Sequence, residues 1–259
     1  MSRTDRLYRV QAIVIRRRDW GEADRLLTLY TREQGKIQAI AKGARKPASR
    51  KTGHVELFMR ANLLIARSRS IDIITQAETV EAYRELRESL ECSTLAHYFA
   101  ELLDCFSGEA EPDRAVFDLL SAALGWLCES KDMRLAARYY ELRLLELAGF
   151  RPELQHCPRC GKTLQPVDCF LSPEVGGVLC PNCGANRRDA YTLSLAAFKV
   201  LRYAQTHTWE QFRRLRLTPR LHDELEGAMY RYLVYILERN LKSVEFLRQL
   251  RREEMIRET

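Results

Sequence analysis

Four cysteines limit what this chain can become more than any other feature. Cys157-Pro158-Arg159-Cys160-Gly161 and Cys180-Pro181-Asn182-Cys183-Gly184 repeat one local design, with the spacing C-x2-C-x19-C-x2-C. Two thiolates three positions apart reach one metal ion from a tight turn, and a second such turn completes a tetrahedron. The spacing therefore predicts one Zn²⁺ held by Cys157, Cys160, Cys180 and Cys183. Four protein ligands leave no place for water, so the ion is expected to be structural and not catalytic. The glycine after each second cysteine is expected to supply a positive φ. Residues 161–179 carry few apolar side chains (Leu164, Val167, Phe170, Leu171, Val175, Val178), and the metal would staple them. A redox reading of one Cys-x-x-Cys pair lacks the surrounding βαβ pattern. His156 is expected to be a bystander, and Cys92, Cys105, Cys128 and Cys169 to be small buried hydrophobes.

The first 80 residues have the period of short strands. Tyr8–Arg16 is rich in β-branched residues, Arg25–Thr31 follows a turn at Asp19–Gly21, and Lys36–Lys42 follows a turn at Gln34–Gly35. In the last of these Ile37, Ala39 and Ala41 fall on one face, with Lys36, Gln38, Ile40 and Lys42 on the other. Glu56–Arg67 and Ile71–Ala77 flank Ser68–Ser70 as a hairpin. Five short strands in one unit predict a small closed barrel of OB or SH3 type, because closure removes exposed edges. From about residue 81 the period becomes helical: Ser93–Phe106, Asp113–Glu129 and Asp132–Ala148, then a helix marked by Leu193, Ala197, Val200, Leu201 and Ala204. Thr218-Pro219 reads as an N-cap and first-turn pair ahead of a stripe from Leu221 to Leu237. The whole reads as an α+β multi-domain chain: a β-barrel over 1–80, helices over 81–154 and 191–259, and the cysteine segment 155–190 inserted between them.

Charge separates these parts. Residues 1–80 hold 17 basic against 8 acidic side chains, whereas 81–155 hold 8 against 15. A basic front favours a polyanion. Its cations cluster as Arg16-Arg17-Arg18 at a strand end, Lys36 and Lys42 on the strand face, and Lys42, Arg45, Lys46, Arg50 and Lys51 in a loop read as flexible. Together they predict a groove that tracks phosphates with little sequence reading. Tyr8, Trp20, Tyr30 and Phe58 are available either as core or for stacking on bases. Lys51-Thr52 resembles the end of a phosphate loop, but Arg50 stands where the glycine is needed. No Ser/His/Asp set, open metal site or carboxylate cluster for Mg²⁺ is discernible, so no enzyme activity and no small-molecule substrate are expected. Neither a leader nor a bilayer-spanning run is discernible, which makes a cytoplasmic address the expectation.

Several segments, taken in order, carry a resemblance. DRLLTLYTREQGKIQAIAKGARK (Asp24–Lys46), YYELRLLELAGFRPELQHCPRCG (Tyr139–Gly161), SPEVGGVLCPNC (Ser172–Cys183) and ERNLKSVEFLRQL (Glu238–Leu250) resemble the bacterial RecO family of recombination mediators over nearly the whole chain. The resemblance implies an N-terminal OB-fold, a helical body with an inserted zinc finger, and work at the bacterial nucleoid. It also implies binding to single- and double-stranded DNA, annealing of complementary strands, and cooperation with RecR to load RecA onto DNA coated by single-stranded-DNA-binding protein. The acidic tail of that protein is expected on the helical body, where Arg134, Arg138 and Arg143 are the candidates. Two other readings are a protein-interaction scaffold and an accessory subunit of a nucleic-acid-processing enzyme.

Overall fold

Small inward side chains draw the first five strands into a closed barrel. The computed structural model describes residues 6–46, 52–247 and 249. It contains β1 (Leu7–Trp20), β2 (Asp24–Thr31), β3 (Gly35–Ala41), β4 (Arg60–Ala66) and β5 (Asp72–Glu81), joined in the order β1-β2-β3-β5-β4. Val10, Ala12, Val14, Leu27, Leu29, Ala39, Ala41, Ala61, Leu63, Ile65 and Ile74 fill the interior. Alanines alternate there with larger aliphatics, as the taper of so narrow a barrel requires. β1 serves two neighbours: Leu7–Ile13 pairs with β4 and Ala12–Trp20 with β2, the register shifting between Val14 and Arg16. A bulge at that point bends the strand from one neighbour to the other. Parallel closure between β3 and β5 rests on Ala39–Asp72 and Ile40–Ile73.

The outer face of β1 and β2 is apolar too. Ile13, Ile15, Leu26 and Tyr30 point away from the barrel interior and are nevertheless buried. They need a cover. Helices α1 (Leu90–Phe106) and α2 (Arg114–Glu129) belong to the same unit as the barrel, together with the chain from Ser243, and His97 of α1 meets the Phe58 ring edge-on at 4.9 Å. Ser89 caps α1 by accepting from the Cys92 N–H.

The second unit spans Ser130–Lys242. It holds α3 (Met133–Leu147), β6 (Cys169–Ser172), β7 (Gly177–Leu179), α4 (Pro181–Gly184), β8 (Tyr191–Leu193), α5 (Leu195–Thr206), α6 (Trp209–Phe212) and α7 (Pro219–Leu237). Thr218 caps α7 with Pro219 in its first turn, as expected from those two residues. Several details differ from the sequence reading: β1 runs through Asp19 and Trp20, which are expected in a turn and instead pair with Arg25 and Asp24. Leu193 ends β8 and pairs with Cys169, so α5 starts one residue after its cap, Ser194. The expected strand at Glu56 begins at Arg60, after a turn in which Phe58 takes a φ of 64°. The cysteine segment carries a sheet of its own, ordered β7-β6-β8, with Leu171, Val178, Leu179 and Leu193 buried. Among the described residues no helix is long and apolar enough to cross a membrane.

The turn into β3 tolerates only glycine. Gly35 has φ +66°, and a Cβ there would lie 2.2 Å from the Glu111 carbonyl oxygen. Gly35→Ala is expected to destabilise the first unit by about 2–4 kcal/mol, measured by urea unfolding. A loss under 0.5 kcal/mol would show that the Glu111 segment yields freely.

Candidate functional site

The two cysteine turns meet in space. The Sγ atoms of Cys157, Cys160, Cys180 and Cys183 all lie within 4.8 Å of one another, and those of Cys160 and Cys180 are 3.9 Å apart. Sulfurs about 2.3 Å from a shared tetrahedral ion stand roughly 3.8 Å apart, so the set has the dimensions of a metal cage. The first turn is closed by Gly161 N–H donating to the Cys157 carbonyl at 2.9 Å, with Gly161 at φ +71°. Gly184 is needed for another reason than the expected positive φ. A Cβ at that position would sit 2.5 Å from the Phe170 Cβ, so the second turn packs directly onto β6. His156 is exposed and stands outside the cluster.

The sulfurs cannot all ionise unaided. Burial opposes ionisation of Cys157, but backbone N–H groups of Cys180, Cys160 and Arg159 outweigh it and hold the thiol down at about 6. Cys183, hydrogen-bonded to the Cys180 sulfur, is pushed up to about 12. A central cation favours ionisation of all four, and the donor set suits a thiophilic metal with no coordination position left open.

The basic residues of the first unit fall into two groups. At one end of the barrel, Arg18 and Trp20 lie where β1 meets β2, Trp20 opposite Asp24. The turn after β3 folds back onto this hairpin, since Gly43 N–H donates to Asp24 Oδ1 at 2.7 Å and Arg45 N–H to the Ala23 carbonyl at 2.9 Å. These two bonds bring Lys42, Arg45 and Lys46 to the Arg18–Trp20 end, all of them exposed. Arg45 reaches Asp19 only at 3.5 Å, while Arg18, Lys42 and Lys46 have no carboxylate partner among the described residues. Trp20 is 41% exposed, and the Arg18 guanidinium lies 5.6 Å from its ring centroid. Arg50 and Lys51 lie outside the described residues.

The other group is neutralised internally. Lys36 stands near the start of β3, opposite Tyr30, five residues before the strand's end at Ala41. Its ammonium donates to Asp104 Oδ1 at 3.0 Å and to the Asp104 and Ser107 carbonyls at 3.2 and 2.9 Å. These are the last carbonyls of α1, which a cation satisfies well. Arg16 also bonds Asp104, at 2.6 Å, and Arg17 and Arg25 share Glu56. A groove of about 600 Å³ beside Arg16 and Lys36 is also lined by Asp72, Asp104 and Glu109. Three carboxylates outnumber its two cations, which gives phosphates little attraction. Asp24, Glu56 and Asp104 are the positioning residues that sequence reasoning missed. Asp104 lies 68 residues from Lys36 and 88 from Arg16, so no local pattern could disclose it.

Of the other aromatics considered for stacking, Tyr30 and Phe58 are buried, and Tyr8 is half-buried with its hydroxyl donating to Asp72 at 2.5 Å. In the second unit the three candidate arginines are all engaged. Arg134 bonds Asp223 at 2.7 Å, Arg143 bonds Glu146 at 2.7 Å and the His207 carbonyl at 2.8 Å, and Arg138, only 6% exposed, bonds Glu141 at 2.5 Å.

A closed barrel with cations at one end, and a four-cysteine cage with the dimensions of a structural metal site, are the parts of a nucleic-acid-binding protein. Comparison with known proteins gives the family. The model for the recombination protein O N-terminal region matches residues 1–83, and that for the C-terminal region matches residues 87–245. The chain is 42% identical over 247 residues to the DNA repair protein RecO of Roseiflexus sp., covering 95% of this chain and 87% of that protein. It is 36% identical over 245 residues to the RecO of Dehalococcoides mccartyi, covering 95% and 96% of the two chains. With that of Desulforamulus reducens it shares 34% identity over 256 residues, covering 98% and 99%. The chain therefore belongs to the recombination protein O family, whose members are non-catalytic mediators of DNA repair and recombination.

Lys36 separates structural cations from available ones. Lys36→Met is expected to cost on the order of 1–3 kcal/mol, because it leaves Asp104 and two helix-end carbonyls short of a donor. Chemical denaturation measures the loss, and oligonucleotide affinity should stay within about twofold once the fold is populated. Normal stability with severely weakened binding would reverse this assignment.

Proposed function

We propose that the Arg18–Trp20 hairpin end and the Lys42–Lys46 turn form the site that holds single-stranded DNA. The observation that carries this reading is the group of exposed cations that the Asp24–Gly43 hydrogen bond holds at one barrel end, of which only Arg45 meets a carboxylate among the described residues. Such charges attract phosphates whatever the bases, and an exposed indole adds a stacking surface. Annealing follows from the same physics. Cations reduce repulsion between two backbones, and base pairing supplies the driving force. Duplex DNA meets the same field, so affinity for both forms is part of the proposal.

In this reading the protein acts in the bacterial cytoplasm at the nucleoid. It works with RecR and engages the acidic tail of single-stranded-DNA-binding protein to give RecA access to the covered strand. Arg134 and Arg143 retain partly exposed side chains for such a tail, which would compete with Asp223, Glu226 and Glu146. Arg138, buried on Glu141, is out of an incoming peptide's reach. The four thiolates hold one Zn²⁺, which fixes the turn between α3 and α5 and takes no part in a reaction.

Reversing Lys42, Arg45 and Lys46 to Glu together is expected to weaken oligo-dT binding on the order of a hundredfold at low salt and to flatten its log–log salt slope by about two units. Trp20→Ala should cost about 1–3 kcal/mol of binding with the slope unchanged. Fluorescence anisotropy across a salt series measures both. Unaltered affinity in the triple variant would favour the scaffold reading.

Cys160→Ser is expected to release stoichiometric zinc and loosen residues 155–190, leaving the barrel folded. Metal analysis and amide hydrogen exchange check this. Full zinc retention would mean that the ion is held elsewhere.

A further inference from the structure

Between α6 and α7 the chain reads Arg213-Arg214-Leu215-Arg216-Leu217-Thr218-Pro219-Arg220, and no Asp or Glu occurs from Gln211 to His222. This is the densest arginine run in the second unit, and the strand site proposed above makes no use of it.

The segment is anchored at both ends. Before it, α6 is fixed by reciprocal capping between Thr208 and Gln211, with Trp209 and Phe212 buried against Tyr139 at ring-centroid distances of 5.6 and 5.2 Å. After it, Thr218 caps α7 by accepting from the Leu221 N–H, and Leu225 is fully buried. Between these anchors residues 215–218 belong to no helix or strand. Exposure alternates along them: Arg214, Arg216 and Thr218 are exposed, Leu215 and Leu217 half-buried. Arg216 lies within this stretch, while Arg214 flanks it in the turn after α6 and Arg220 in the first turn of α7, so three exposed cations fall within seven residues.

The charges on this segment are also available. Arg214, Arg216 and Arg220 form no ion pair with a described residue, and the one hydrogen bond found for Arg216 goes to the neighbouring Leu215 carbonyl at 3.2 Å. Arg134, Arg138 and Arg143 in the same unit each have a carboxylate. Arg220 stands in the first turn of a 19-residue helix that carries no acid there, so the helix's positive end adds to its field. The exposed side chains are arginine, threonine and proline, while the leucines turn inward. Such a face suits a phosphate backbone better than an acidic peptide that needs apolar seats.

We propose that Arg214, Arg216 and Arg220 form a second phosphate-backbone site, which holds the complementary strand while the barrel end holds the first. This rests on the strand site proposed for the barrel and extends it to two strands on one chain. Annealing gains if both backbones are neutralised and held at once, because the second encounter then becomes intramolecular.

The test uses the full chain with two non-complementary oligonucleotides, one carrying a fluorescence donor and the other an acceptor. Wild type should hold both and show energy transfer. Arg214→Glu, Arg216→Glu and Arg220→Glu combined should leave binding of one oligonucleotide within about twofold, while second-strand loading and the annealing rate fall by about tenfold or more. The corresponding triple Gln variant, expected to show a smaller loss in the same order, carries the test if charge reversal disturbs folding. Unchanged second-strand loading in a folded variant overturns the proposal. So does loss of binding to an Asp-rich peptide with strand loading intact, since that would assign the loop to an acidic protein. The barrel reading fails on a separate result, namely normal first-strand binding after the barrel-end reversal.

Discussion

Closure of the five-stranded sheet is the constraint on which the proposed DNA site depends. The β3–β5 junction is short, at Ala39–Asp72 and Ile40–Ile73, so the barrel relies on the antiparallel ladders of β1 with β2 and β4 and on an interior of alanines and aliphatics. Once closed, the sheet has no free edge for another chain to extend, and its end becomes a rigid mount. The turn after β3 then has a fixed surface to fold onto, and the Asp24 carboxylate sets where Lys42, Arg45 and Lys46 emerge. A cationic loop on a floppy support would spread its charge over many positions. On a barrel it holds that charge at one end.

The division between neutralised and available cations organises the rest of the first unit. Lys36, Arg16, Arg17 and Arg25 all meet carboxylates, and the first two bond Asp104 of α1. Lys36 and Arg25, which are largely buried, need partners because desolvation without compensation is costly, whereas the exposed Arg16 and Arg17 share the same carboxylates at the surface. Exposed cations carry no such cost, and the energy of neutralising them is kept for a polyanion. The cysteine cluster follows the same rule with the signs reversed: backbone N–H groups hold the Cys157 thiol low, hydrogen bonding to the neighbouring sulfurs holds Cys183 high, and gathered thiolates suit a cation.

How much of this was legible in the sequence follows from how local each signal was. The four cysteines could be assigned outright, because ligand type and spacing are both local and both restrictive. The barrel strands showed through their alternation, and the cap of α7 through Thr218-Pro219. β6, β7 and β8 did not show, since three or four residues are too few to establish a period, and Leu193 was drawn into the following helix for that reason. Lys36 looked like a surface cation because its strand face is polar, while the α1 carbonyls that claim it come from distant chain. Arg138 is different: Glu141 stands three residues away on the same helix, a spacing that already marks an internal pair. Gly184 was correctly singled out, although it is required by the Phe170 ring and not by φ.

The central claim is that the exposed cations at one barrel end, and not the basic front as a whole, hold the DNA strand. Lysine acetylation footprinting, with and without saturating oligo-dT and read by mass spectrometry, tests it most directly. The account predicts that Lys42 and Lys46 react in the free protein and are protected by the strand, while Lys36 reacts poorly in both states because Asp104 and the α1 carbonyls engage its ammonium. Equal modification of Lys42 and Lys46 in the two states, with the strand demonstrably bound, would contradict it.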